Sequence, residues 1–276
     1  MLAPSLKTTI SLAALWAMAL TAPVQAAEPS QTLFLNPLVR DSVTAPKLAG
    51  LRFVTVDGFA PFSTFNADGT LRGVHVDLAR GICAELKITS GCTLQAVAFE
   101  DVENLLISGQ ADVALAGLVP TVQNRKNLSF SVPYFRFPSK FLAQKNATSD
   151  AKINIGVVKD SAHQKMAALL FPDLKQTPFA SDADAVAALK AGTVAALFGD
   201  GVQLALLQTA NPSLNCCLLK AENYFLPQLQ PDMLSAAISA SKTDVLSAVD
   251  AALRQMSTDG RLDEIYLRQM PVNLFE

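Results

Sequence analysis

From Leu51 onward the chain alternates short apolar runs with stretches of helical periodicity, and it does so twice. "LRFVTV" (51–56) reads as a buried strand, and "GFAPFSTF" as a loop with a short strand. An Asp-Gly turn, "ADGTLRG" (67–73), comes next. "VDLARGICAELK" (76–87) carries apolar residues at helical spacing, with Asp77 placed to cap or serve its first turn. "TLQAVAF" (93–99), "EDVENLLISG" (100–109) and "DVALAG" (112–117) then read as strand, short helix with a Gly stop, and strand. The alternation restarts with "INIGVV" (153–158) and "SAHQKMAALLF" (161–171). "DADAVAALKAG" (182–192), "VAALFG" (194–199) and "GVQLALLQTA" (201–210) continue it. After "CCLLKA" (216–221) the chain closes with a strand, "MLSAAISA", and two helices divided by Asp259-Gly260.

Such alternation predicts an α/β architecture with largely parallel sheets. Two runs of about 90 residues predict two lobes, each with its own sheet. "KFLAQ" (140–144) and "YFLPQLQPD" (224–232) read as the extended crossings between them. The expected organisation is a signal peptide over 1–26 and an N-terminal extension over 27–49. The first part of lobe 1 is expected over 50–140, lobe 2 over 141–227, and the strand and helices returning to lobe 1 over 228–276. In open α/β sheets ligands bind beyond the carboxyl ends of the strands. Two facing lobes joined by paired crossings form a cleft that closes by hinge motion.

The first residues predict export. Lys7 supplies a positive start, Ile10 to Leu20 an apolar run, and Val24-Gln25-Ala26 a small-residue cleavage signal. The run is shorter than the roughly 20 residues a spanning helix needs, so a cleaved, periplasmic protein is expected. Without Lys7, 21 basic residues face 24 acidic ones, a net charge of −3. That balance argues against nucleic acid as a partner. The cysteines fit an oxidising compartment. A helix that turns back over nine residues brings Cys83 and Cys92 within bonding range. The neighbours Cys216 and Cys217 are open to a vicinal disulfide, free thiols or a metal. His75 and His163 lie far apart, thin material for a metal site. No cofactor is called for.

Four blocks, in order and spacing, resemble the periplasmic solute-binding proteins for polar amino acids, family 3. They are "PFSTFNADGTLRGVHVDLA" (61–79), "LLISGQADVALAG" (105–117), "LSFSVPYF" (128–135) and "ALRQMSTDGRLDEIYLRQM" (252–270). The resemblance implies a two-lobed periplasmic-binding-protein-like (type II) fold. It implies a monomer that closes over an amino acid or similar small-molecule solute and docks on an ABC transporter permease in the membrane, without catalysis.

The resemblance also implies site residues. Phe59 and Phe99 match rings that sandwich the solute. Asp200 matches an aspartate that accepts an ammonium group, although it is equally placed to cap the next helix. Ser161 stands where relatives carry a Gly-Thr loop for the carboxylate, but here the loop is "KDSAH" (159–163), which makes Lys159 and His163 lesser candidates. Relatives place an arginine seven residues after the glycine matched by Gly117. In this chain Asn124 holds that slot and Arg125 follows it, while Gly117 to Phe130 keeps the family spacing of thirteen. A one-residue offset turns a helical side chain by about 100°. Both Asn124 and Arg125 therefore remain candidates, with Thr121 placed to cap the turn that presents them. The threonine two residues after the glycine is replaced by Val119, which donates no hydrogen bond. His75 stands where relatives carry an acidic residue, a change that affects permease contact or nothing. Two other functions stay open: a periplasmic accessory or sensor with a degenerate cleft, and a cyclohexadienyl-dehydratase-like enzyme using an acid such as Glu100 or Asp101.

Overall fold

The computed structural model describes residues 46–145, 153–226, 232–270 and residue 274. The expected signal peptide, and the extension up to residue 45, lie outside the described residues.

Two five-stranded sheets organise the chain. The first has the order β4-β1-β5-β12-β6. It is built from β1 (Leu51–Val56), β4 (Cys92–Val97), β5 (Val113–Leu115), β6 (Leu128–Arg136) and β12 (Met233–Ser239). A small hairpin of β2 (Thr64–Phe65) and β3 (Leu71–Arg72) precedes α1 (Val74–Glu85). The second sheet has the order β11-β7-β10-β8-β9. Its strands are β7 (Ser139–Gln144), β8 (Asn154–Val158), β9 (Lys175–Phe179), β10 (Ala196–Asp200) and β11 (Cys217–Leu219). The helices α2 (Val102–Ile107), α3 (Ala162–Leu170), α4 (Asp182–Lys190), α5 (Gly201–Ala210), α6 (Thr243–Thr258) and α7 (Arg261–Gln269) complete the elements.

The packing explains the helices. In α1, Val74, Leu78, Ala79 and Ile82 are buried on one stripe; in α6, Val245, Ala248, Val249, Ala252, Leu253 and Met256 are. These stripes meet α7 and the first sheet in one apolar core that runs on to Val202 and Ala205 of α5. A second cluster under α2 holds Val54, Val102, Leu106 and Leu128. Disulfides join Cys83 to Cys92, with Cα atoms 6.5 Å apart, and Cys216 to Cys217. The first ties the end of α1 to the start of β4.

Two readings of the first helix are corrected. Gly73 occupies the N-cap of α1 at φ +118, so Asp77 sits in the first turn, as expected, but does not cap the helix. Its carboxylate instead accepts from Gln269 Nε2 at 2.7 Å and pairs with Arg80 and Arg268, tying α1 to α7. His75 is fully buried, so it has no surface to offer a permease.

"KFLAQ" is no crossing: it is most of β7, antiparallel to β10 and to β11. The passage between the sheets is shorter, at Phe137 and Pro138; of the return, Phe225, Leu226 and Asp232 are among the described residues. These two passages are joined. Phe137 N–H donates to the Asp232 carbonyl at 2.6 Å, and Ser139 and Tyr224 exchange two backbone hydrogen bonds of 2.9 Å. Arg136 pairs with the buried carboxylate of Asp232 at 2.9 Å and stacks 4.0 Å over the Phe225 ring. Lys140 is buried too; its ammonium donates to the carbonyls of Lys220 (3.1 Å) and Ala221 (2.8 Å). Burial pushes its pKa down to about 8, with the charge of Glu222 pulling the other way.

Candidate functional site

In the first sheet β1 runs parallel to β4 and β5, so three carboxyl ends share one edge. In the second, β8 runs parallel to β9 and β10, which gives another such edge. The residues singled out in the sequence fall on these two edges as two sets.

On the first edge, β1 leads through Gly58 (φ +74) into a tight turn held by Phe59 N–H to the Ser63 carbonyl at 2.9 Å. The Phe59 ring stacks 4.9 Å from Phe62 and crosses Gly117, just past β5. Gly117 has φ +73, and a Cβ there would lie 3.0 Å from the Phe59 ring. Phe59 and Gly117 are thus brought together. Gly117→Ala should cost about 1–2 kcal/mol from left-handed strain, plus a displaced ring, in urea unfolding; a variant as stable as the parent contradicts the contact. Phe99 opens the 3-10 turn that follows β4 and is 53% exposed, an unusual setting for a phenylalanine in a folded edge. Val119 is 43% exposed.

Asn124 and Arg125 part company. Asn124 turns inward and is 7% exposed. Its Oδ1 accepts the Thr121 N–H at 2.8 Å, its Nδ2 donates to the Val119 carbonyl at 3.0 Å, and Glu103 Oε1 lies 3.5 Å away. Thr121 Oγ1 accepts the Asn124 N–H at 3.1 Å, so Thr121 does cap the turn. Arg125 is exposed, with its guanidinium 5.5 Å from the Phe130 ring. Phe130 belongs to the strand that follows, β6.

On the second edge three helices begin. Ser161 caps α3, accepting the Gln164 N–H at 3.0 Å and donating to the Val158 carbonyl at 2.7 Å. Ser181 caps α4 in the same way, accepting the Asp184 N–H at 3.2 Å. Asp200 ends β10 and caps α5 through the Gln203 N–H at 3.0 Å. It is half-buried. Burial raises its carboxyl pKa, hydrogen bonds from Gln203 and Val202 pull it back, and the charge of Asp182 adds to the rise. His163 lies 6.2 Å from the Phe198 ring; burial lowers its pKa against the opposing pull of Asp182. Asp182 was not a sequence candidate. It heads α4 just past β9, the strand that the sequence reading passed over; recognising β9 brings Asp182 to this edge. The carboxylates Asp182 and Asp200 give the second edge a negative character. The next residue, Gly201, donates its N–H to the Pro138 carbonyl at 2.8 Å, and a Cβ on it would strike that oxygen and the Lys140 stem. Asp200 is thereby one residue from the hinge.

The described residues hold no cluster of three or more His, Cys, Asp or Glu able to bind a metal. None of their helices is long and apolar enough to cross a membrane.

The sequence profile of the bacterial extracellular solute-binding proteins, family 3, matches residues 51–270. The chain belongs to that family. Among relatives, the putative ABC transporter arginine-binding protein 2 of Escherichia coli (strain K12) is 26% identical over 231 residues, covering 82% of this chain and 92% of the relative. The arginine-binding periplasmic protein of Mannheimia haemolytica is 28% identical over 213 residues, covering 77% and 87%. In fold the chain is similar to the L-cystine solute receptor of Neisseria gonorrhoeae in the unliganded open conformation. That likeness has a TM-score of 0.69 at 14% identity and covers 83% of this chain and 96% of the receptor. This family 3 chain is a solute-binding protein with the two-lobed type II fold.

Proposed function

We propose that this chain captures an amino acid or related small polar solute carrying a cationic group, closes its lobes over it, and delivers it to an ABC-type importer. The observation that carries this reading is Asp200: a half-buried carboxylate at a strand end whose pKa is raised by burial. A cation bound there gains a charge-assisted hydrogen bond, roughly twice a neutral one. Phe59 and Phe99 offer aromatic faces on the opposite edge, suited to a cation or an apolar stem. The arginine for which two relatives are named is a solute of this charge. Closure follows from the hinge: a solute drawing on Asp200 acts on the loop that Gly201 fastens to Pro138. Binding energy shifts an open–closed equilibrium, and no chemistry is required. The protein works in the periplasm as a monomer after cleavage at Ala26, and its loaded form meets a membrane permease.

The test is a thermal-shift screen. The mature protein is unfolded and refolded to strip it, then heated with amino acids, amines and organic acids. A specific solute at a hundred times its Kd stabilises by about 2.7 kcal/mol. The absence of any shift at millimolar concentration overturns the reading. It would favour instead an accessory with a degenerate cleft, a view that draws on the inward-turned Asn124 and the fully engaged Ser161. Turnover of prephenate or arogenate would mark an enzyme; Glu100 and Asp101, its sequence candidates, are both exposed.

A further inference from the structure

Among the described strands, the two five-stranded sheets have four edges. A sheet edge is a row of unpaired N–H and C=O groups, which folded proteins blunt with short strands, charge, proline or bulges. Three of these four edges are blunted. β6 holds Pro133 and Arg136 and shifts register twice against β12. β9 holds Lys175 and Pro178, and β11 has only three residues. β4 has none of these devices. Its six residues, "CTLQAV", include no charge and no proline. They pair with β1 in one unbroken register, from Leu51 with Cys92 to Val56 with Val97. Among the described residues no strand pairs with the outer side of β4.

A groove follows this edge on each face of the sheet. Side chains alternate along a strand. Cys92 and Leu94 pack with the core under α1, and Val97 with the cluster under α2. On the α1 face a groove of about 440 Å³ is lined by Leu71, Val76, Ala79 and Leu94, with Arg80 as its charged residue. On the α2 face a groove of about 580 Å³ is lined by Gln95, Val97, Leu105 and Ile107, with Asp101 as its charged residue. Arg80 approaches Asp77 only to 3.6 Å, and its side chain stays 72% exposed. Asp101 is exposed as well. Each groove therefore offers an apolar lining and one charge, and the two charges are of opposite sign.

We infer that β4 takes up an extended segment of a partner polypeptide as a sixth strand of the first sheet. The open edge supplies main-chain hydrogen bonds, and the two grooves read alternate side chains. The charges set the partner's pattern. An acidic side chain enters the α1 groove beside Arg80, and a basic one enters the α2 groove beside Asp101. Neighbours on a strand point to opposite faces, so acid and base are adjacent in the partner's sequence, with apolar or hydroxyl residues on either side. β4 runs straight into the turn that bears Phe99, so the partner lies along a strand that ends at the first candidate edge.

The probe is a capped peptide, Val-Thr-Glu-Lys-Val-Thr, titrated into the mature protein and followed by calorimetry and amide hydrogen exchange. It is expected to saturate at millimolar concentration or below and to slow exchange at alternate amides of β4. Methylating the alternate amide nitrogens on its pairing edge should abolish both effects, because main-chain hydrogen bonds carry the affinity. Arg80→Glu should weaken the peptide about threefold or more and should prefer the form with lysine in place of glutamate. No saturation, unchanged exchange at β4, or equal binding of the methylated peptide overturns the inference. So does slow exchange at every amide of β4 before any peptide is added. If that protection grows with protein concentration, a second copy covers the edge; if it does not, the chain's own residues do. None of these outcomes touches the solute-binding reading, which the thermal-shift screen decides.

Discussion

Lowering the pH from 7 to 5 should remove about 2 kcal/mol of stability through one side chain, His75. The ring is fully buried between α1 and the first sheet. Its partners are hydroxyls. Thr55 Oγ1 gives its proton to the Leu115 carbonyl at 2.6 Å and faces His75 Nδ1 at 3.1 Å, so Nδ1 carries the ring proton. Tyr134 O–H then donates to Nε2 at 2.9 Å. This network satisfies a neutral imidazole and has no carboxylate for a charged one. Burial accordingly pushes the pKa from 6.5 down to about 3. The unfolded chain therefore binds the extra proton first. The stability is fully present above about pH 6.5, is lost at about 1.4 kcal/mol per pH unit below it, and is spent near pH 3. His163, also lowered, acts in the same direction. The raised carboxyls of Asp200, Asp250 and Asp263 act oppositely. Comparison with His75→Gln isolates the ring. Urea unfolding at pH 7, 6 and 5 should show a steeper loss in the parent than in the variant, whatever the variant's absolute stability. Parallel slopes would mean that His75 is not the buried neutral group described.

Asp200→Asn is expected to weaken solute binding by about 1.5–3 kcal/mol, roughly 10- to 150-fold, with little change in the stability of the empty protein. The two effects separate because the proposal adds a second task to the one the structure shows. One is to cap α5 through the Gln203 N–H, and asparagine caps a helix as well as aspartate does. The other is to present a charge, which asparagine lacks. Calorimetry with the tightest solute from the screen reads the second task, and thermal unfolding without solute reads the first. If affinity survives while the fold is intact, Asp200 is only a cap and the cation lies elsewhere.

The fold was legible because its strands and helices are written in apolar spacing. Elements failed to show where one residue broke the pattern for a tertiary reason. "KFLAQ" read as an extended crossing after Pro133 and Pro138, yet it is a strand whose Lys140 ammonium finds two carbonyls 80 and 81 residues further on. β9 is an edge strand holding Pro178 among polar neighbours, a composition that signals a strand only weakly. Asp77 read as a cap because helix starts are uncertain by a residue or two, and Gly73 set the start earlier. The disulfide between Cys83 and Cys92 was legible because nine residues of local geometry decide it. The candidate residues were legible as strand-end positions and blurred in chemistry. Phe59 and Gly117 meet although 58 positions apart, which strand order alone predicts. Whether Asn124 or Arg125 faces a solute depends on a hydrogen-bonded turn whose partners, Thr121, Val119 and Glu103, no spacing rule brings together. The His75 network joins residues 20 to 60 positions apart, and only the packed sheet assembles it.

The most direct test of the account is X-ray scattering from the stripped mature protein, with and without a saturating cation, for the parent and for Asp200→Asn. Gly201, the residue after Asp200, donates its N–H to the carbonyl of Pro138, where the chain passes between the sheets, so a solute held by Asp200 would act next to that passage. The account predicts that the parent's radius of gyration falls on saturation, while Asp200→Asn keeps the open value at the same cation concentration. A parent that is saturated by calorimetry yet shows no compaction would contradict closure, and with it the proposed delivery of a solute from a closed cleft.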